Sequence, residues 1–160
     1  MDKRCIEIKN ITMDFVLQHL MENYPGLKSA DVWGETSLFY NPDGVLKRGI
    51  YFCTLKNKDG ENDKASYLNR ADVFRMNFGV SKKTFLSMFQ VCPKRPIKGG
   101  VIDGDYHFQS LDILTPHPIY GWMAWISIIN PSHKSLEGMR SLIDESYQIC
   151  MEKYQKKIQL

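Results

Sequence analysis

The chain has 160 residues, of which 43% are hydrophobic and 24% charged; this composition excludes wholesale disorder and predicts that residues 1–160 form a single domain. The formal net charge of +3 is mild, and phosphate neutralisation dominates duplex-DNA affinity, so the charge neither establishes nor excludes a nucleic-acid partner. No apolar run approaches the roughly 20 residues that span a bilayer, and the first residues lack the apolar core of a signal peptide. We therefore expect a cytoplasmic protein with no membrane partner.

The first elements form a helix followed by a hairpin. Apolar positions at helical spacing predict a helix over residues 10–24, and Pro25-Gly26 ends it because proline cannot continue a helix. Residues 32–40 and 49–55 are rich in β-forming side chains and predict two strands. The Asn-Pro-Asp-Gly sequence at 41–44 is typical of the turn between them.

The middle of the chain predicts a strand and a short helix. The polar run 56–64 is typical of a solvated loop or a hairpin tip. Residues 72–80 alternate in polarity, which places one set of side chains on each face of a strand. Ser81 is expected to cap a helix reaching about residue 90, and the Pro/Gly-rich residues 93–104 predict a loop that could serve as a lid or a long hairpin. The side chains on the first strand face are Phe74, Met76 and Phe78, and those on the second are Val73, Arg75 and Asn77.

The last third predicts a strand and a long helix. The prolines on both sides of His117 argue against a central strand there, whereas residues 122–129 predict a strand that ends at Asn130-Pro131. Ser132 or Ser135 is expected to cap a helix that reaches about residue 157. This order of elements predicts an α+β fold with an antiparallel sheet, flanking helices and a long C-terminal helix. The helix carries apolar residues at 3–4 spacing, namely Leu136, Met139, Ile143, Tyr147, Cys150 and Tyr154.

Two groups of polar residues are candidate binding sites. The first would lie on the face of the sheet that carries Arg75, where a guanidinium could bind a carboxylate or phosphate; its predicted members are Arg70, Arg75, Asn77, His117 and Tyr120. The alternative is structural: Arg75 pairs with an Asp or Glu, such as Asp72 or Glu35, on a solvated face, and His117 satisfies a backbone carbonyl.

The second group is basic and would suit nucleic acid. Residues 81–100 contain no acidic side chain, and their phenylalanines and prolines resemble a single-strand binding surface. The alternative is a solvated loop beside a helix whose phenylalanines are buried. The basic residues are Lys82, Lys83, Lys94, Arg95 and Lys98. Three further lysines near the C-terminus, Lys153, Lys156 and Lys157, are explained by the helix dipole.

Motifs for catalysis, metals and cofactors are absent from the sequence. It lacks a nucleophile elbow, a P-loop, a dinucleotide fingerprint and a zinc-protease motif, so we lean towards a non-enzymatic protein without a cofactor. His19 and His133 are expected to be surface or structural, and His107 lies in or near the loop. The cysteines are widely spaced and predict separate thiols with no metal site; they are Cys5, Cys53, Cys92 and Cys150.

Several motifs carry a resemblance to a known family. They are WGET at 33–36, NPDG at 41–44, FRMNFG at 74–79 and HPIY at 117–120. With them the chain resembles a bacterial family of short proteins that is catalogued as a domain of unknown function, which implies a bacterial source but no activity.

A second resemblance covers only the end of the chain. Trp125 in a strand, followed by LIDESY at 142–147, is similar to the MmcQ/YjbR-like proteins. That similarity implies a CyaY-like, double-wing fold and a DNA-binding role. The family's strand tryptophan follows a Lys-His pair, and Met123-Ala124 stands there instead, which weakens the transfer of DNA binding.

Together these observations favour a binding module for nucleic acid or another anionic partner. The first alternative is a small-molecule site or enzyme with a pocket at Arg75, Asn77 and His117. The second is a structural protein, monomeric or homodimeric, whose aromatic strands form the core and an interface.

Overall fold

The computed structural model describes residues 11–159 of the chain. Within this range, four helices and six strands follow one another, and the predicted α+β fold with a long C-terminal helix is confirmed. In chain order the elements are α1 (Met13–Asn23), β1 (Leu27–Val32), β2 (Glu35–Tyr40), β3 (Ile50–Lys56), β4 (Arg75–Gly79), α2 (Lys82–Phe89), β5 (Thr115–Pro116), β6 (Trp125–Ile129), α3 (His133–Gly138) and α4 (Arg140–Ile158).

The six strands form one open sheet. Its order is β1-β2-β3-β4-β6-β5, and every neighbouring pair is antiparallel. The two-residue strand β5 lies at an edge, where its proline removes no ladder hydrogen bond from a central position. Strand β1, which lies at the other edge, was not predicted because its exposed sequence LKSADV does not alternate in polarity.

Both ends of α1 follow local rules. The Thr12 hydroxyl caps the helix by accepting a hydrogen bond from the Phe15 backbone nitrogen at 3.1 Å. The helix ends before Pro25, as predicted, and Val16 and Leu20 are its fully buried residues. Residue 10, where the predicted helix begins, lies outside the described range.

The predicted C-terminal helix is divided in two. Ser132 is the N-cap, and its hydroxyl accepts a hydrogen bond from the Ser135 backbone nitrogen at 3.1 Å. The first segment ends at Gly138, a residue with low helix propensity, and the long helix α4 then starts at Arg140. A similar shortening affects the predicted strand 122–129, because Gly121–Met123 form a 3₁₀ turn and Ala124 adopts a φ of 63°.

The hydrophobic core lies on one face of the sheet. Phe74, Met76 and Phe78 all belong to it, which confirms the predicted alternation in β4. A β-bulge lies in the β2–β3 pairing beside Leu38, and the ring of Phe52 in β3 contacts Tyr147 of α4 at a centroid distance of 5.8 Å. The helices therefore cover this face, and the opposite face is polar.

Candidate functional site

The polar face is built by side chains in register on the central strands. Asn77 of β4 pairs with Thr54 of β3 and with Ser127 of β6. The Asn77 amide donates to the Thr54 hydroxyl at 3.0 Å, and the Asn77 carbonyl accepts from the Ser127 hydroxyl at 2.7 Å. Asn77 is thereby fixed in one orientation, with its oxygen directed towards Arg75.

Arg75 lies on this face and is fully buried, with 1% of its surface exposed. Its Nε donates to Asn77 Oδ1 at 2.8 Å, and Nη1 donates to Ser66 Oγ at 2.9 Å. Two further N–H groups form a bidentate pair with the Asp63 carboxylate. The fifth N–H faces His117 Nε2, which lies 3.4 Å from Nη2. Arg75 thus pairs with an aspartate, as the structural interpretation expects, but the partner is neither Asp72 nor Glu35 and the face is buried rather than solvated.

The segment 57–74 causes this burial. The run 56–64 was predicted to be a solvated loop or a hairpin tip, and Gly60 and Asp63 exchange backbone hydrogen bonds of 3.0 and 3.2 Å and form a tight turn. The turn directs Asp63 onto the sheet, and buried Ser66 and Leu68 follow it. Composition alone missed this because only Asp63 and Ser66 reach the cluster, while most of the segment's charged residues are exposed.

Charges in the cluster balance one another. Lys56 Nζ lies 3.6 Å from Glu35 Oε1 and 3.7 Å from Asp63 Oδ2, so two cations face two carboxylates. Burial alone would raise the pKa of Asp63, but hydrogen bonds and positive charge from Arg75 outweigh it and hold that pKa below its usual range. Asp63 is therefore ionised at neutral pH, and the pair is a buried salt bridge.

His117 completes this polar cluster of Glu35, Lys56, Asp63, Arg75 and His117. Burial, and then the positive charge of Arg75, hold the pKa of His117 well below its ordinary value, so the imidazole is neutral. Its Nδ1 accepts hydrogen bonds from the backbone nitrogens of Ile119 and Tyr120, both at 3.1 Å. The backbone turn that follows His117 thus donates hydrogen bonds to the His117 ring itself.

Beside the cluster lies a groove of about 780 Å³. His117 lines it, together with residues of β2, β3 and α4, and Tyr120 and Trp125 contribute aromatic surface. Its other aromatic or large apolar side chains are Trp33, Tyr51, Met123 and Ile149. Its basic side chains are Lys153, Lys156 and Lys157, and among residues 11–159 Glu35 is the one acidic residue that lines it.

The predicted ligand residues are thus divided by the structure. Arg75, Asn77 and His117 converge in one hydrogen-bonded cluster, and Tyr120 packs against His117 with a ring-centroid distance of 4.9 Å. Arg70 lies apart from the groove, since its guanidinium donates to the carbonyls of Tyr67, Ser66 and Gln109. The bond to Gln109 attaches segment 57–74 to the loop between α2 and β5.

All five residues of the predicted basic segment are exposed. Lys82 and Lys83 begin α2, whereas Lys94, Arg95 and Lys98 follow in the loop, which forms no hairpin. The Arg95 guanidinium stacks over the Trp122 ring at 5.1 Å. The phenylalanine at 85 is fully buried, as the solvated-loop interpretation expects.

The remaining histidines lie elsewhere. His19 and His133 both contact Phe15 and line a smaller cavity of about 350 Å³ together with Arg140 and Asp144, and His107 is exposed. Within residues 11–159 no three His, Cys, Asp or Glu side chains form a group that could hold a metal ion.

The cysteines of the described range are free thiols, and Cys5 lies outside that range. Cys150 lines the groove, and burial raises the pKa of its thiol to about 12. The thiol donates to the Tyr51 carbonyl at 3.3 Å. It is therefore protonated at neutral pH and is a poor nucleophile.

Sequence reasoning missed the contribution of α4 to the groove. The helix was assigned only to the core and its lysines only to the helix dipole. A signal was present, since Lys153, Lys156 and Lys157 are three and four residues apart and share one helix face. What the pattern could not reveal was which surface that face would line.

The fold and site define a class: an α+β protein with an open six-stranded antiparallel sheet, a buried polar cluster and an adjoining basic, aromatic groove. The chain belongs to DUF6194, a family of unknown function whose profile matches residues 11–159. No curated protein and no solved structure matches the chain. Within residues 11–159, no helix has the length and apolarity that crossing a membrane requires.

Proposed function

We propose that this protein is a non-enzymatic binding protein for a small anionic molecule with an apolar, planar body, which occupies the groove. The observation that carries the proposal is the lining of the groove, where aromatic side chains adjoin three lysines. Its volume of about 780 Å³ lies within the range of about 300–1,000 Å³ that is usual for ligand sites.

Aromatic surface supports an apolar, planar ligand body. Trp33 is 86% exposed at the tip of the β1–β2 hairpin, and Tyr51, Tyr120 and Met123 are between 41% and 52% exposed. Large apolar side chains left open around one concavity are typical of binding sites. A ring inserted among them would bury apolar surface on both of its faces.

The lysines support a negative charge on the ligand. Lys153, Lys156 and Lys157 are exposed and line the groove, whereas its one carboxylate, Glu35, lies 3.6 Å from the Lys56 ammonium. An anion would therefore meet three cations without a partner carboxylate from the groove. The Cys150 thiol in the groove does not support nucleophilic catalysis, because it is protonated.

Binding of simple probes tests the proposal. We expect benzoate and phenyl phosphate to bind in titrations followed by NMR, benzamide to bind more weakly, and benzylamine not to bind. Changing Lys153, Lys156 and Lys157 together to Gln should weaken benzoate binding about tenfold, because each exposed ion pair contributes roughly 0.2–1 kcal/mol.

A matched control uses the other lysines. Lys82→Gln, Lys83→Gln and Lys94→Gln together remove the same charge from the basic segment and should leave benzoate affinity unchanged. Equal weakening by both triple variants, or failure of both anions to bind at millimolar concentration, would show that the groove is not the site.

Single-stranded nucleic acid is the second candidate partner. It is favoured by the five exposed basic side chains of the basic segment and by the stacked Arg95–Trp122 pair, since such surfaces combine cations with aromatic rings. The similarity to MmcQ/YjbR-like proteins points the same way and remains a prediction, as do a bacterial source and a cytoplasmic location.

This candidate predicts oligonucleotide binding that falls steeply with salt, because phosphate contacts release counterions. The basic-segment triple variant should reduce that binding and the groove triple variant should not. Binding that is absent at low salt, or that does not depend on salt, rules the candidate out.

A further inference from the structure

We infer that His117 and Arg75 form a donor pair that binds an oxygen of the ligand, a carboxylate or phosphate oxygen, at the inner end of the groove. The inference rests on the proposed groove and names the contact that would orient its ligand. It follows from the number of hydrogen-bond donors and acceptors around the His117 ring.

Both ring nitrogens of His117 have hydrogen-bonding neighbours, but all of these neighbours are donors. Nδ1 faces the backbone N–H groups of Ile119 and Tyr120, and Nε2 faces the Arg75 Nη2 group at 3.4 Å. A neutral imidazole carries one N–H and one lone pair. Whichever nitrogen holds the proton therefore points an N–H at other N–H groups.

The two tautomers differ in how many donors they leave without an acceptor. With the proton on Nδ1, that N–H and the N–H groups of Ile119 and Tyr120 are all unpaired. With the proton on Nε2, the two backbone bonds of 3.1 Å are made, and only the Nε2–H and one Arg75 N–H are unpaired. Since buried unpaired donors destabilise a fold, the geometry selects the Nε2–H tautomer.

This tautomer leaves two donors converging where one acceptor atom is missing. His117 is 2% exposed and lines the groove, so the unpaired donor is a buried polar group at the wall of a cavity. The other N–H groups of Arg75 are engaged by Asp63, Ser66 and Asn77, which fixes the guanidinium. An oxygen that enters from the groove, to one side of the line joining Nε2 and Nη2, would lie within reach of both donors.

An anionic oxygen suits the position better than a neutral one. One of the two donors belongs to the Arg75 guanidinium, and hydrogen bonds from a charged donor to a charged acceptor are the strongest. The remaining contacts of the ligand are apolar or lie at the lysines. The carboxylate of benzoate and the phosphate of phenyl phosphate are therefore the matched probes.

The tautomer can be measured without a ligand by two-bond ¹H–¹⁵N correlation spectra of the histidine rings. We expect the His117 ring to show a protonated Nε2 and an unprotonated Nδ1, with His117→Asn identifying its signals. A ring protonated on Nδ1 would overturn the inference and leave the groove proposal standing.

The ligand contact is tested by titrating benzoate and phenyl phosphate. We expect the His117 Nε2–H proton to move downfield with at least one of them. His117→Asn keeps an acceptor near the Nδ1 position for the turn but removes the Nε2 donor, so it should fold, as circular dichroism would show, and bind that anion about 10- to 150-fold more weakly. His107→Asn, at an exposed position, is the matched control and should bind normally.

The outcomes separate the two proposals. Lysine-dependent anion binding with an unmoved His117 signal and normal affinity in the folded His117→Asn variant overturns the inference alone. If neither anion binds the wild type, the groove proposal fails and this contact fails with it.

Discussion

Replacing Asp63 by Asn should destabilise the protein strongly, because Asp63 neutralises the most buried cation of the described range. Arg75 is 1% exposed and makes its bidentate pair with Asp63, and Lys56, 6% exposed, lies 3.7 Å from the same carboxylate. Removing one partner of a buried pair leaves a charge without compensation, at a cost of about 3–5 kcal/mol. The new amide would also direct an N–H group at the guanidinium.

Urea denaturation at pH 7 measures this cost as the loss in free energy of unfolding. Asp72→Asn is the matched control, since Asp72 is exposed and its replacement should change stability by less than about 0.5 kcal/mol. A double-mutant cycle with Arg75→Met should then give a coupling energy of about 0.5–3 kcal/mol between positions 63 and 75. A loss below about 1 kcal/mol for Asp63→Asn, or equal losses in the two aspartate variants, would refute the assignment of Asp63 as the buried partner.

Three further predictions follow from the same contacts. The folded pKa of His117 lies below its unfolded value of about 6.5, so the unfolded chain binds more protons below that pH. The free energy of unfolding should therefore fall below about pH 6.5 by up to about 1.4 kcal/mol per pH unit. Urea denaturation at several pH values should show a weaker dependence of stability on pH for His117→Asn and an unchanged one for His107→Asn. Asn77→Ala leaves the Arg75 Nε–H unpaired and should lower the free energy of unfolding in urea by about 1–3 kcal/mol, whereas a loss below 0.5 kcal/mol would contradict that hydrogen bond. Gly79→Ala would place a Cβ 2.9 Å from Trp125 Nε1, so overpacking should lower the free energy of unfolding by about 1–3 kcal/mol. The near-ultraviolet circular dichroism spectrum should change as well, and an unchanged stability with an unchanged spectrum would contradict this packing.

Local sequence signals predicted most elements of the fold. Ser81 and Ser132 cap helices as predicted, and strand β4 alternates because one of its faces meets the core while the other meets polar side chains. These features depend on neighbours within a few residues, where hydrogen bonding and periodicity act directly.

The errors arose where distant contacts decide. The edge strand β1 has little burial to impose alternation, and the left-handed conformation at Ala124 shortens β6 although its sequence favours a strand. The division of the C-terminal helix at Met139 likewise accompanies the burial of that side chain.

Three of the five candidate ligand residues lie together in the polar cluster, but their pairing with Asp63 was not predicted. Arg75, Asn77 and His117 were expected to lie near one another, and they do, but the guanidinium is also held by Asp63 and Ser66. Asp63 was hidden in a polar run whose composition predicts solvent exposure, and the lysines of α4 could not be placed beside the cluster without the path of the helix over β3.

The most direct test of the groove is a map of backbone amide shifts during a benzoate titration. We predict that the largest changes fall around the groove, at Tyr51, Tyr120, Trp125 and Ile149, and that the amides of residues 82–98 stay unmoved. Changes concentrated in residues 82–98, or none that saturate, would contradict the assignment of the groove as the binding site.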